Sequence, residues 1–280
     1  MIDTNNNRVV LITGGSSGIG YATTLKFARE GFVTYTSSRN ITSDKIKELK
    51  EIAKNENLKI IPVYIDLNDT NSIDTALSTI SAENSGVDVL ISNAAFGYLS
   101  TVEDTNLDKY RTQFETNVIG TFYLMQKVIP HMRDKKNGLI INISSIMGFS
   151  TAPLNAPYSS SKYALESISE TLALEVKPFG INVVIVQPGN FHTSFMKNAV
   201  HQEYEDSSPY YKLYKRKDDK SESVGGGDPS VIADLLLNIS NTDNPKLRYV
   251  AGKDAFLKKI LHTVLPGSLW IKFLRFIYKW

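Results

Sequence analysis

Short apolar runs rich in Val and Ile alternate with longer amphipathic stretches at fairly even intervals along the chain. Seven runs read as strands: RVVLIT (8–13), FVTYTS (32–37), KIIPVYI (59–65), VDVLIS (87–92), GLIINIS (138–144), INVVIVQ (181–187) and LRYVAG (247–252). Runs that are apolar at nearly every position suit strands buried on both faces of a sheet. The stretches between them repeat apolar residues at helical spacing over 20–30, 44–54, 71–83, 106–133, 158–177 and 229–239. This alternation predicts βαβ units, hence an α/β protein on a doubly wound parallel sheet. Gly31 and Gly180 follow the first and fifth helices and act as C-terminal stops. Pro62 has no N–H for a ladder, so its strand is expected at a sheet edge or with a bulge.

With 280 residues and neither an internal repeat nor a long linker, residues 1–280 are expected to form one domain. Two segments interrupt the alternation. Residues 189–228 cluster Tyr204, Tyr210, Tyr211 and Tyr214, the mixed-charge run KRKDDK (215–220) and GGG (225–227), with neither periodicity. A loop of that length is a lid over a site or a surface excursion. Residues 253–280 form two amphipathic segments split by Pro266 and Gly267; Trp270, Phe273, Leu274 and Ile277 follow helical spacing among Lys272, Arg275 and Lys279. This C-terminal extension is basic: the net charge of +2 divides into +7 over 244–280 and −5 over the preceding 243 residues. Packing on the body or a partner subunit, lying in a membrane interface, and walling a substrate site all fit its composition.

No uncharged stretch is long enough to cross a bilayer. The absence of cysteine removes disulfides and thiolate chemistry, and the four His are scattered without ligand spacing, so no metal is expected. The polar start MIDTNNNRVV lacks the apolar stretch of a signal peptide. A cytoplasmic location is expected, with peripheral membrane contact open to the extension and no nucleic-acid partner.

LITGGSSGIGYATTLKFAREG reads as a strand, a glycine turn and a helix. Gly14, Gly18 and Gly20 permit a sharp turn and a close ligand approach, and the helix N-terminus offers free N–H groups, which together suit a pyrophosphate. The same residues spell G-x-S-x-G from Gly14 to Gly18, a hydrolase nucleophile elbow with Ser16 as nucleophile and His192, His201 or His262 downstream. That elbow has no preceding strand to supply a second oxyanion donor, and it leaves Gly20 unexplained. A Tyr and a Lys four positions apart share one face of a helix. The chain holds four such pairs, Tyr123/Lys127, Tyr158/Lys162, Tyr211/Lys215 and Tyr249/Lys253, so spacing alone selects none.

Taken together, TGGSSGIG (13–20), SNAAFG (92–97), Asn117, Ser145 and YSSSK (158–162) resemble the short-chain dehydrogenase/reductase family over roughly residues 8–195. The resemblance singles out Tyr158, which alone among the four has a serine thirteen residues earlier; the others have Tyr110, Asn198 and Leu236 there. It implies a Rossmann-type fold in which Tyr158 exchanges a proton with a carbonyl or alcohol oxygen and Ser145 hydrogen-bonds that oxygen. Lys162, helped by the positive nicotinamide ring of the oxidised cofactor, is expected to lower the phenol pKa from its usual ~10 and to bind the nicotinamide ribose. Asn117 is expected to anchor a water relay. The same resemblance implies cofactor contacts from Gly14, Ser16, Ser17, Gly18, Ile19 and Gly20 in the turn. Asp66 would meet the adenine amino group, although its other reading is a turn cap. Asn93 and Ala94 would flank the ribose, with Ala95 where glycine is usual, and Pro188, Gly189 and Thr193 would meet the carboxamide.

The second strand ends YTSSRN. NAD-preferring members carry an acid about 20 residues after the glycine turn, whereas a 2′-phosphate wants a cation. Ser38 takes the acid's place and Arg39 follows it, so NADP(H) is expected over NAD(H). The extension is similar to that of the retinol and 17β-hydroxysteroid dehydrogenase-like branch, which implies a hydrophobic ketone or alcohol. Phe149, Leu154, Phe191 and Met196 flank the catalytic positions and are placed to line an apolar pocket. The expected activity is NADP(H)-dependent interconversion of a carbonyl and an alcohol on a hydrophobic small molecule; a non-catalytic NADP(H)-binding sensor and the Ser16 hydrolase are the alternatives. Family members associate through the helices corresponding to 106–133 and 158–177, so a homo-oligomer, dimer or tetramer, is expected.

Overall fold

The computed structural model describes residues 7–221 and 226–278. Its strands are β1 (Val9–Ile12), β2 (Val33–Ser38), β3 (Ile60–Tyr64), β4 (Val89–Ser92), β5 (Gly138–Ile143), β6 (Ile181–Pro188) and β7 (Arg248–Ala251). They form one parallel sheet in the order β3-β2-β1-β4-β5-β6-β7, so all seven apolar runs become strands. The helices are α1 (Gly18–Arg29), α2 (Asp44–Asn55), α3 (Thr70–Asn84), α4 (Leu107–Phe114), α5 (Thr121–Asp134), α6 (Ala156–Val176), α7 (Tyr211–Ser221), α8 (Pro229–Ser240), α9 (Lys253–Val264) and α10 (Gly267–Tyr278). This is the doubly wound, Rossmann-type architecture in a single domain. Pro62 lies on β3, the edge strand, where its missing N–H leaves no inner ladder broken.

Side-chain alternation splits the core into two layers. Val9 and Leu11 of β1 join Ile73, Leu124 and Val128 on one side, while Val10 and Ile12 join Phe27, Ile232 and Leu236 on the other. A fully buried aliphatic chain of this kind contributes roughly 1.5–3 kcal/mol, so the central strand serves both half-cores at once. α3, α4 and α8 begin where a polar side chain takes up free N–H groups. Asp69 accepts from Asn71, Asn106 from Asp108 and Lys109, and Asp228 from Ser230 just before Pro229.

Three readings of the sequence change in the structure. The helix expected over 106–133 is interrupted by a π-helical turn, Glu115–Gly120, between α4 and α5. Gly120 passes so close to the β3–α3 loop that a Cβ on it would lie 1.9 Å from the Leu67 carbonyl oxygen. The wider turn also carries Asn117 into the interior, where it is buried. The segment 189–228, which has no periodicity in sequence, contains α7 and a two-residue strand, Val200–His201, paired with Tyr98–Leu99. In that segment Gly225 and the side chains of 217–221 lie outside the described residues, as do Lys279 and Trp280. Finally, Trp270, which suits a membrane belt by composition, is buried: His262 lies 5.2 Å away and Phe273 5.6 Å away, centroid to centroid.

Gly120→Ala tests the packing that produces the π-helical turn. Alanine normally stabilises a helix over glycine by about 1 kcal/mol. Here the added methyl is expected to destabilise by roughly 1–3 kcal/mol, read as a lower denaturant midpoint; a raised midpoint contradicts the close contact with Leu67.

Candidate active site

The carboxyl ends of the strands open into a cleft of about 870 Å³, within the range of ligand sites. Strand order reverses between β1 and β4, and loops departing to opposite sides of that point leave the crevice. Gly14, Ser16, Ser17, Gly18 and Ile19 line it from the turn, Ser38 and Arg39 from the end of β2, and Asp66 from beyond β3. Asn93 and Ala94 line it after β4, and Pro188, Gly189 and Thr193 at and after the end of β6. Thr193 reaches back to the turn, where a Cβ on Gly18 would lie 3.0 Å from its side chain. Gly20 does not line the cleft. A Cβ on it would fall 2.3 Å from the Gly14 carbonyl oxygen, so it serves the packing of α1 against the turn.

The turn fits the diphosphate of a dinucleotide. Ser17, the N-cap of α1, makes no side-chain cap bond, and the first helical turn contains no acidic residue. The positive end of the helix is therefore free for an anion. Buried Thr13, which the sequence reading passed over, fixes the turn to β4: its Oγ1 accepts the N–H groups of Asn93 and Ala94 at 2.9 Å each. Asn93 Nδ2 donates in return to the Thr13 carbonyl at 2.9 Å. The available signal was a β-branched hydroxyl residue at the strand end, one position before the first glycine.

Asp66 lines the cleft, and its Oδ1 accepts the Asn68 N–H at 3.0 Å as a turn cap. Arg39 is exposed at the cleft and has no hydrogen-bond or ion-pair partner among the described residues. The elbow reading of Ser16 fails on geometry. Gly14 and Gly18 take the positive φ, Ser16 does not, and its Oγ meets the Ser38 hydroxyl at 3.4 Å while none of the histidines lines the cleft.

Tyr158, Lys162 and Ser145 come together at the inner end. Tyr158 and Lys162 lie one turn apart near the start of α6, and both are buried. Ser145 precedes a short 3₁₀ turn after β5; its Oγ accepts the Met147 N–H at 3.1 Å, and Ser145 and Tyr158 line the same cleft. Lys162 Nζ donates to the Ile143 carbonyl at 2.8 Å and lies 5.9 Å from the centre of the Tyr158 ring. Burial works against the expected lowering of the phenol pKa. It pushes Tyr158 up to about 12, with the Ser145 hydroxyl opposing. Burial likewise pushes Lys162 down to about 8, with Glu166 opposing. The same loss of water disfavours phenolate and ammonium alike, and Nζ is turned to a carbonyl instead of the phenol.

Asn117 is buried beside the cleft and does not line it. Its Oδ1 accepts the Phe96 N–H at 3.1 Å, and its Nδ2 donates to the Phe96 carbonyl at 3.0 Å and to Ser161 Oγ at 3.1 Å. The amide therefore clamps the loop after β4 to α6.

The sequence profile of the family described as short chain dehydrogenase matches residues 8–204. The chain belongs to this family. It is 34% identical over 278 residues to an uncharacterized oxidoreductase of Bacillus subtilis, YusZ, covering 96% of this chain and 98% of that one. It is also 34% identical over 253 residues to a 3-ketodihydrosphingosine reductase of Bacteroides thetaiotaomicron, covering 88% of each. Retinol dehydrogenase 8 of Homo sapiens is 31% identical over 252 residues, covering 86% of this chain and 80% of that one. The crystal structure of a short-chain dehydrogenase from Streptomyces avermitilis superposes with a TM-score of 0.83 at 30% identity, covering 96% of this chain and 95% of that one.

The outer part of the cleft in this short-chain dehydrogenase is built from its least regular segments. Leu154, Phe191 and Met196 line it as foreseen. Phe149 does not; it is buried beneath Lys259, 4.3 Å from Nζ to ring centre, and beside His262. Phe195, tilted against Tyr158 at 5.4 Å, and Leu213 of α7 supply apolar surface that the sequence left unassigned. The C-terminal helices contribute Asp254, Lys258 and Tyr278. Asp254 accepts the Asn190 N–H at 3.0 Å, and the Tyr278 carbonyl accepts Arg216 Nη1 at 2.8 Å.

Proposed function

We propose that this short-chain dehydrogenase interconverts a carbonyl and an alcohol on a hydrophobic small molecule with NADP(H). The observation that carries the reading is the convergence of Tyr158, Ser145 and Lys162 in the same cleft as the glycine turn. When bound, the nicotinamide supplies or accepts the hydride. Tyr158 gives its hydroxyl proton to the substrate oxygen in reduction and takes it back in oxidation, while Ser145 holds that oxygen by a hydrogen bond. A phenol at about 12 is kept protonated, which suits the acid role. Lys162 holds the nicotinamide ribose and stabilises negative charge on Tyr158 as the proton leaves. Asn117, whose amide is held by Phe96 and Ser161, is the residue assigned to anchor a water relay.

Arg39 supports NADP(H). It is an unpaired guanidinium at the cleft, with Ser38 where an acid would repel a 2′-phosphate. Leu154, Phe195 and Leu213 support an apolar substrate, with the segment 189–228 as its lid. Two of the relatives are named for 3-ketodihydrosphingosine and for retinol, in keeping with that choice. Exposed Ile119, Phe122, Tyr163 and Leu174 on the turn, α5 and α6 support homo-oligomerisation through those helices.

No helix among the described residues is long and apolar enough to cross a membrane. Phe256, Leu257, Ile260 and Val264 of α9 are exposed on one helix face, and Leu269, Ile271 and Phe276 of α10 are exposed as well. Lys253, Lys272 and Arg275 accompany them. This mixture supports peripheral contact with an anionic membrane surface at the mouth of the cleft.

Tyr158→Phe is expected to lower kcat roughly 10²–10⁴-fold with NADPH affinity nearly unchanged; turnover retained on any ketone found in a screen rejects the acid assignment. Arg39→Asp is expected to weaken NADPH binding by about 10- to 100-fold and to leave NADH binding nearly intact, measured as dissociation constants; equal losses for both reject the 2′-phosphate contact. Leu257→Asp combined with Val264→Asp is expected to abolish co-flotation with phosphatidylglycerol vesicles and leave NADPH binding intact. A wild-type protein that does not float removes the membrane reading.

A further inference from the structure

One helical turn beyond Lys162, α6 carries a second buried charge. Glu166 is 5% exposed. Its Oε1 accepts Ser144 Oγ and Gln187 Nε2, each at 2.7 Å; its Oε2 accepts the same amide at 2.8 Å and Arg248 Nε at 3.3 Å. These donors come from the loop just after β5, the end of β6 and the start of β7. Ser144 adjoins Ser145, and Gln187 adjoins the Pro188–Gly189 segment. Stability alone does not call for such a group, since an apolar residue of similar volume commonly replaces a buried ion pair without loss. Lys162, by contrast, has a single hydrogen-bond partner among the described residues, the neutral Ile143 carbonyl.

We propose that Glu166 is a positioning residue for the carbonyl–alcohol reaction: one turn from Lys162 on α6 and buried like it, its carboxylate is the counter-charge of that side chain and joins the three strand ends beside Ser145 and Pro188. The proposal rests on the role given to Lys162 above. The other charged or titratable groups around Glu166 are Lys162, Tyr163 and Glu170 on α6, Arg248 on β7 and Lys259 on α9. Arg248 is shared with Glu170, an exposed partner, so part of the Glu166 field is left to act along the helix. The sign follows from burial, which already draws Lys162 down to about 8 while Glu166 holds it up. Removing the carboxylate favours the neutral amine.

The test is the titration of Lys162 in the full chain by ¹³Cε lysine NMR, with its resonance assigned by comparison with Lys162→Met. In Glu166→Gln the midpoint is expected to fall by at least about one pH unit, a tenfold change in the equilibrium; an unmoved midpoint overturns the proposal. Should that variant not fold, Arg248→Met is expected to move the midpoint upward by freeing the carboxylate from its competing cation, and no rise overturns the proposal equally. The alkaline limb of kcat/KM is expected to move to lower pH with the Glu166→Gln midpoint, which a purely structural role would not do. A wild type without turnover on ketones or alcohols rejects the oxidoreductase reading, while the titration still decides what Glu166 does to Lys162.

Discussion

Withdrawal of water from two ionisable side chains at the inner end of the cleft is the constraint around which the site is arranged. A phenol and an ammonium both lose hydration there, and each is driven toward its neutral form. A neutral phenol is a competent proton donor, so its burial needs no compensation for that task. A neutral amine is of no use as a counter-charge, so its burial does. The polar cluster behind Lys162 answers that need, with a carboxylate held by donors from three strand ends. The electrostatics of the site and the mechanical joining of the sheet's carboxyl edge are therefore one arrangement.

The dinucleotide end rests on steric closeness instead. The Gly14 carbonyl lies beneath α1 where only a glycine at position 20 fits, and Thr13 with Asn93 ties the turn to the neighbouring strand. Neither contact has to touch a ligand. They set the height and direction of the α1 N-terminus relative to the sheet, which decides where an anion can sit.

Much of this was legible in the sequence because its signals are local. Seven apolar runs specify seven buried strands, and the glycine turn, the end of β2 and the Tyr158/Lys162 pair lie in the chain order that puts them at one edge of the sheet. What was hidden depends on contacts between distant segments. The π-helical turn arises from the approach of Gly120 to Leu67, and Phe149 is covered by a helix more than a hundred residues later. The segment 189–228 shows no period because its described apolar side chains, among them Phe191, Phe195 and Leu213, face the cleft in place of one continuous core. Leu213 and Tyr214 pack with Leu154 in a small cluster of their own. The raised phenol pKa was misread for a related reason. Proximity of an ammonium is visible in spacing, whereas the depth at which both groups sit is not.

The bond from Arg216 to the backbone carbonyl of Tyr278 joins the helix over the cleft to the last described residue of the chain. It ties α7 to α10 at the cleft, which Leu213, Arg216 and Tyr278 line together. The room available to a guest there is therefore set by two segments more than fifty residues apart in the chain, and a change in either one alters the wall that both form.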